Sequence, residues 1–246
     1  MSTFVLVHGS WHGGWCWYKV IPRLEKAGHK VVAPDVPSQG RGKTPLSEIS
    51  LETWTKTICR ILDNQAEPVI LVGHSRGGII ISQAAERRPE KVKTLVYLAA
   101  FLLRDGQAIM QILQEDTISL VRPNLVVSED QVSATVREEA IREIFYGECS
   151  DEDVALARSL LQPEALAPTA TTVHVTNASF GRVPRVYIEC RRDKALAPAV
   201  QQKMYTALPC QRLMSIETDH SSFFSAPDDL TAHLLSLERS DGLREP

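Results

Sequence analysis

Ser75 lies in the run Gly73-His74-Ser75-Arg76-Gly77-Gly78. A serine between glycines in the pattern G-x-S-x-G is the mark of a nucleophile raised on a sharp turn between a strand and a helix. Gly73 and Gly77 suit such a turn, because a Cβ at either place would crowd it. The bare pattern also occurs by chance. Here an apolar run over 69–72 precedes it, a helical pattern over 77–87 follows it, and a further glycine, Gly78, adjoins it. That context favours the nucleophile turn over an ordinary glycine-rich connection.

A serine hydroxyl is a weak nucleophile until a base takes its proton, and the base needs a partner to orient it. In proteins with this turn the chain order is serine, then acid, then histidine. Of the seven histidines, only His174, His220 and His233 follow Ser75. His174 falls in a polar middle segment and His233 in the last helical pattern. His220 sits in the loop Glu217-Thr218-Asp219-His220-Ser221-Ser222 after the final strand pattern, and is the expected base. Asp193 follows the preceding strand pattern in Arg191-Arg192-Asp193-Lys194 and is the expected acid, with Glu189 and Glu217 as runners-up. Asp219 adjoins His220 too closely to reach its Nδ1, so its expected role is to shape the loop.

Acyl transfer also requires donors for a developing oxyanion. The backbone N–H of Arg76, directly after the serine, is one. The second is expected from the loop His8-Gly9-Ser10-Trp11-His12-Gly13-Gly14-Trp15, at the Ser10 N–H, with the Ser10 hydroxyl as a further candidate. No G-x-G-x-x-G or phosphate-loop pattern occurs in that stretch, which argues against a nucleotide site.

The elements around these residues alternate. Strand patterns at 4–7, 31–33, 69–72 and 92–98 are separated by helical patterns at 15–26, 51–65 and 77–87. The same rhythm returns at 185–189, 197–207, 212–216 and 227–237. Continuous apolar strands alternating with helices imply a mostly parallel sheet covered on both faces. Residues 103–182 break the rhythm; they are polar and helix-prone, notably at 130–145 and 151–161. The expected organisation is an α/β core in two parts, 1–102 and 183–246, interrupted by a helical cap insertion at 103–182. An insertion after a strand's carboxyl end sits above the sheet, where such sheets bind ligands. The tail 240–246 is expected to fray.

Composition fits one domain: 246 residues, 43% hydrophobic, 23% charged, net charge −3. That balance gives no electrostatic reason to expect nucleic acid. No apolar run approaches the roughly 20 residues needed to span a bilayer, and the N-terminus lacks a signal-peptide pattern. Five scattered cysteines without a C-x-x-C pair suggest free thiols in a reducing compartment, so a cytoplasmic location is expected.

The sequence resembles the plant methylesterase and hydroxynitrile lyase branch of the α/β-hydrolases and its bacterial esterase relatives. The resemblance rests on His8 to Trp17, which follows the pattern H-G-x-x-H-G-x-W, on Gly73 to Gly78, on Tyr97-Leu98-Ala99-Ala100-Phe101, on Tyr187 to Lys194 and on Asp219-His220. It implies a six-stranded core sheet with a helical cap. Lyases of the branch carry threonine where this chain has Gly9, an acid where it has His74, and lysine where it has Ser221. The resemblance therefore implies an esterase rather than a lyase. Arg76 departs from the leucine or methionine common after the nucleophile.

The function expected is a serine carboxylesterase acting on small to medium esters through an acyl-enzyme, with Ser75, Asp193 and His220 as triad and no cofactor or metal. The expected partner is a small-molecule ester, and a homo-oligomer is left open. Trp11, His74, Phe145, Phe180 and Ser221 are the expected pocket residues. Alternatives on the same triad are a lactonase or a cofactor-free perhydrolase. An alternative of another class is a small-molecule receptor that keeps a hydrolase pocket.

Overall fold

Phe4 and Leu6 pack into one buried cluster, Val5 and Val7 into another, and all four are fully buried. Successive side chains of a strand point to opposite faces, so a strand buried on both sides must lie inside a sheet covered twice. The computed structural model, which describes residues 1–239, contains that sheet; the tail 240–246 lies outside the described residues. Its strands are β1 (Thr3–Val7), β2 (Lys30–Val32), β3 (Val69–His74) and β4 (Val92–Leu98). The inserted segment contributes β5 (Leu125–Val127), β6 (Ser133–Val136) and β7 (Glu164–Ala165). β8 (Arg185–Cys190) and β9 (Arg212–Ile216) complete the set.

Six strands pair in parallel in the order β2-β1-β3-β4-β8-β9. The helices α1 (Val20–Lys26) and Pro227–Arg239 send Val20, Leu24, Leu230 and Leu234 against Phe4, Leu6, Ile70 and Val72 on one face. On the other face α2 (Leu51–Asp63), α3 (Gly77–Arg87) and Pro198–Ala207 send Trp54, Ile58, Ile80 and Met204 against Val5, Leu71 and Tyr97. Ser50 starts α2 as an N-cap: its hydroxyl accepts from Thr53 N at 3.2 Å, and the Thr53 hydroxyl accepts from Ser50 N at 3.1 Å.

The chain order reverses direction across the sheet between β1 and β3. Such a switch point opens a crevice at the carboxyl ends of the strands. The loop after β1 and the turn after β3 therefore meet there, with Val7 registered against Gly73.

The segment between β4 and β8 carries the helices Ile109–Glu115, Ile141–Phe145 and Asp151–Leu160. It also holds a three-stranded antiparallel sheet in the order β5-β6-β7, so the stretch 130–145, expected to be helical, is a strand over Ser133–Val136. Thr135 and Val136 are β-branched and favour a strand once partners are present. The inserted segment is tied to the core by Asp153, which accepts from Tyr18 Oη at 2.7 Å and Lys19 Nζ at 2.6 Å. Among the described residues no helix is long and apolar enough to cross a membrane.

Candidate active site

Ser75 has φ +52°, the left-handed region that costs a non-glycine residue about 1–2 kcal/mol. Its surroundings hold it there. Its N–H donates to Leu98 O at 3.2 Å, and its carbonyl accepts from Gly78 N and Phe101 N, each at 3.0 Å. The glycines make the close approach possible. A Cβ on Gly77 would stand 2.8 Å from Val7 O, and one on Gly73 would stand 2.8 Å from the Gly77 carbonyl group.

Asp193 and His220 come from the loops after β8 and β9. His220 Nδ1 lies 2.7 Å from Asp193 Oδ2, and both side chains are buried. The other carboxylate oxygen, Oδ1, accepts from Ala195 N at 2.7 Å and Leu196 N at 2.9 Å. Gln201 Nε2 donates to Oδ2 at 3.1 Å. This cradle presents an acceptor to His220 Nδ1, so the ring proton sits on Nδ1 and Nε2 is the basic nitrogen. The His220 carbonyl accepts from His74 Nε2 at 3.0 Å, which ties the histidine loop to the residue before Ser75. Ser75 and His220 line one cavity. A hydroxyl and an oriented imidazole so placed can carry out nucleophilic acyl transfer.

Three further histidines brace this site as neutral rings. His8 Nδ1 donates to Gly9 O at 2.9 Å while its Nε2 accepts from Val36 N at 3.2 Å. His12 Nδ1 donates to Ser10 O at 2.6 Å while its Nε2 accepts from the Tyr146 hydroxyl at 2.6 Å. Burial is the main cause that pushes His8 down to about 3, His12 down to about 4 and His74 well below its ordinary value. A neutral His74 matters because its ring centre is 4.5 Å from that of His220. A charge there would oppose an imidazolium on His220.

Trp11, in the loop after β1, has φ +62°, and that loop lies close to the Ser75 turn: a Cβ on Gly9 would stand 2.9 Å from Ser75 Cβ. Among the described residues, the backbone N–H groups of Ser10 and Arg76 donate to no protein acceptor. The Ser10 hydroxyl, expected as a further oxyanion donor, donates instead to Glu164 Oε1 at 2.8 Å. Asp219 fills the expected loop-shaping place: it accepts from Glu148 N, Ser221 N and the Ser225 hydroxyl at 2.8, 3.1 and 2.8 Å.

The cavity encloses about 170 Å³. Its wall includes Ser10, Trp11, Ile109, Leu113, Val121, Phe145 and Leu196, with exposed Met110, Gln114 and Arg122 also contributing. Trp11 and Phe145 thus lie where a pocket was expected. His74, Phe180 and Ser221 do not. His74 packs against the His220 ring and does not line the cavity. Phe180 is packed in the core under α3 and against the Arg185 guanidinium, at 4.8 Å. Ser221, within the histidine loop, is fully buried and does not line the cavity. Sequence reasoning missed Glu164 and Gln201. Glu164 reaches the site from 154 residues beyond Ser10, with no local pattern to mark it. Gln201 carries no local sequence signal either; its role shows only in its full burial on the helix Pro198–Ala207 against Asp193.

Residues 4–234 match the Alpha/beta hydrolase family. The chain belongs to the α/β-hydrolase family. This hydrolase is 34% identical to Methylesterase 7 of Arabidopsis thaliana, over 96% of each chain. It is 33% identical to Salicylic acid-binding protein 2 of Nicotiana tabacum, over 95% of this chain and 96% of the relative. Among solved structures it is similar to a methylesterase, MES16 from Arabidopsis, with a TM-score of 0.86 and 27% identity over 97% of this chain and 99% of that one. These likenesses place the hydrolase in the plant methylesterase branch, as a carboxylic ester hydrolase.

Proposed function

We propose that this hydrolase is a serine carboxylesterase for small to medium apolar esters. The observation that carries the reading is the Asp193–His220 pair, 2.7 Å apart, whose His220 lines one largely apolar cavity together with the strained Ser75. Residues 103–182 act as the cap over that cavity, between the core parts 1–102 and 183–246. The names of the methylesterase relatives support a small alcohol group.

In this mechanism Ser75 Oγ bonds to the ester carbonyl carbon while His220 Nε2 takes the hydroxyl proton. The carbonyl oxygen becomes an oxyanion, met by the N–H groups of Ser10 and Arg76. Asp193 holds the Nδ1 proton and stabilises the imidazolium. His220 then gives its proton to the alkoxide oxygen as the carbon–oxygen bond breaks, and the alcohol leaves. Water adds to the acyl carbon by the same base, the bond to Ser75 breaks, and the acid departs with Ser75 reprotonated.

The test is steady-state hydrolysis of p-nitrophenyl acetate, butyrate and octanoate. Replacing Ser75 with alanine is expected to lower kcat by at least about a thousandfold in a folded protein. Turnover that survives Ser75→Ala in a pure preparation overturns the reading. The chain-length profile of the wild type measures the reach of the cavity.

A further inference from the structure

Arg76 is fully buried although it directly follows Ser75 on a turn, and an uncompensated cation there would be costly. Its side chain runs beneath the loop after β1. Nη2 donates to Gly9 O at 2.8 Å, and the guanidinium stacks on the Trp54 ring with Cζ 4.0 Å from its centre. Nε lies 2.8 Å from Glu164 Oε1, an ion pair by distance whose N–H is poorly aligned and makes no hydrogen bond. Nη1 has no partner among the described residues. The cation is therefore held by charge and stacking more than by a saturated fork.

Glu164 comes from β7 in the inserted segment, registered against Ala134, and is itself buried. One carboxylate oxygen, Oε1, accepts the Ser10 hydroxyl at 2.8 Å and faces Arg76; the other accepts Trp11 N at 3.0 Å. A single carboxylate thus joins three parts of the molecule: the turn carrying Ser75, the loop after β1, and the cap.

We infer that Arg76 and Glu164 form a positioning pair that fixes the two oxyanion donors relative to each other and makes their alignment depend on a seated cap. The inference rests on the serine-esterase reading. The two donors belong to residues 10 and 76, and the pair grips both: Arg76 through its own side chain, Ser10 through its hydroxyl and through the carbonyl of Gly9 before it. Neither side chain touches the reacting atoms in this scheme. The pair acts by geometry, and a misplacement of about 1 Å at a reacting centre can lower rate about a hundredfold.

The test uses the full-length enzyme, with sites counted by covalent labelling with a fluorophosphonate. Removing one partner leaves a buried charge alone, so Glu164→Gln and Arg76→Met singly are expected to fold poorly as well as to turn over slowly. The double variant Arg76→Met with Glu164→Leu removes both charges, a change that buried pairs often tolerate. In that variant kcat per labelled site on p-nitrophenyl butyrate is expected to fall about 10- to 100-fold, with KM changed less than about threefold. Inhibition by a trifluoromethyl ketone, which presents an oxyanion, should weaken in step, while binding of the matching alcohol should not. A folded double variant with wild-type kcat per labelled site overturns the inference. So does a double variant whose loss lies wholly in KM. A wild-type enzyme that neither labels nor turns over overturns the serine-esterase reading itself, a result distinct from either.

Discussion

Asp193 is more than an anion beside His220. Two backbone N–H groups and the Gln201 amide fix its carboxylate before any charge develops on the ring. Asp193→Asn keeps the shape but replaces an acceptor with an amide that can turn its NH₂ toward Nδ1, which favours the wrong tautomer. A drop in kcat of about ten-thousandfold is expected, with a thermal midpoint close to the wild type. Parallel rate and melting measurements check it; a loss of only a few-fold would mean that another group orients His220. The residues of the proposed triad were legible because each carries a local or ordinal signal. Ser75 has its glycines, His220 follows the last strand, and Asp193 follows the one before. Glu164 has no such signal, because its meaning lies in contact with residues 10, 11 and 76 across most of the chain.

At the scale of elements, what reads clearly is an apolar run bounded by polar or turn residues, whether central like β4 or at the sheet's edge like β9. β4 (Val92–Leu98), β9 (Arg212–Ile216) and α3 (Gly77–Arg87) fall on the residues their patterns mark. The strands between β4 and β8 do not, since β5 and β6 have three and four residues and acquire strand geometry only from each other and from β7. The expected first helix, 15–26, is a 3-10 turn at Gly14–Trp17 followed by α1, a break that the apolar spacing alone does not reveal. The turn between β3 and α3 has no slack. Gly77→Ala would drive a Cβ to 2.8 Å from Val7 O and 3.0 Å from His8 O, both backbone atoms that cannot swing away. A loss of about 2–3 kcal/mol in stability is expected, together with reduced turnover as the loop after β1 is pushed off the turn. Urea denaturation of the variant checks the first effect; a stability within 0.5 kcal/mol of wild type, about the scatter of neutral surface changes, would contradict it.

The whole molecule inherits a pH dependence from its three neutral histidines. In the unfolded chain each titrates near its ordinary value of 6.5, whereas folding pushes His8 to about 3, His12 to about 4 and His74 well down. Below pH 6.5 the unfolded chain binds protons that the folded one refuses, so stability falls as pH falls. The loss starts near 6.5 and continues to about 4 for His12 and about 3 for His8. Each histidine can contribute up to about 1.4 kcal/mol per pH unit in that window. Denaturant midpoints measured from pH 7.5 to 5 should decline, and His12→Asn should flatten the decline by about one proton's worth. A midpoint independent of pH across that range would rule out neutral buried rings.

The pairing of β4 with β8 carries a consequence for descent. Leu95 is registered against Arg185, so the polypeptide leaves the sheet at Leu98 and rejoins it at Arg185, one strand across and three residues, about 10 Å, back along it. A segment with such neighbouring ends can be lengthened, shortened or replaced by another without straining the sheet below, and new substrates become reachable by exchanging it. Glu164 limits that freedom. A transplanted segment without an acid at this point would strand the Arg76 cation beneath the reaction centre. The exchanges that leave a working enzyme are those that keep the acid or change residue 76 along with it, so the two positions should vary together.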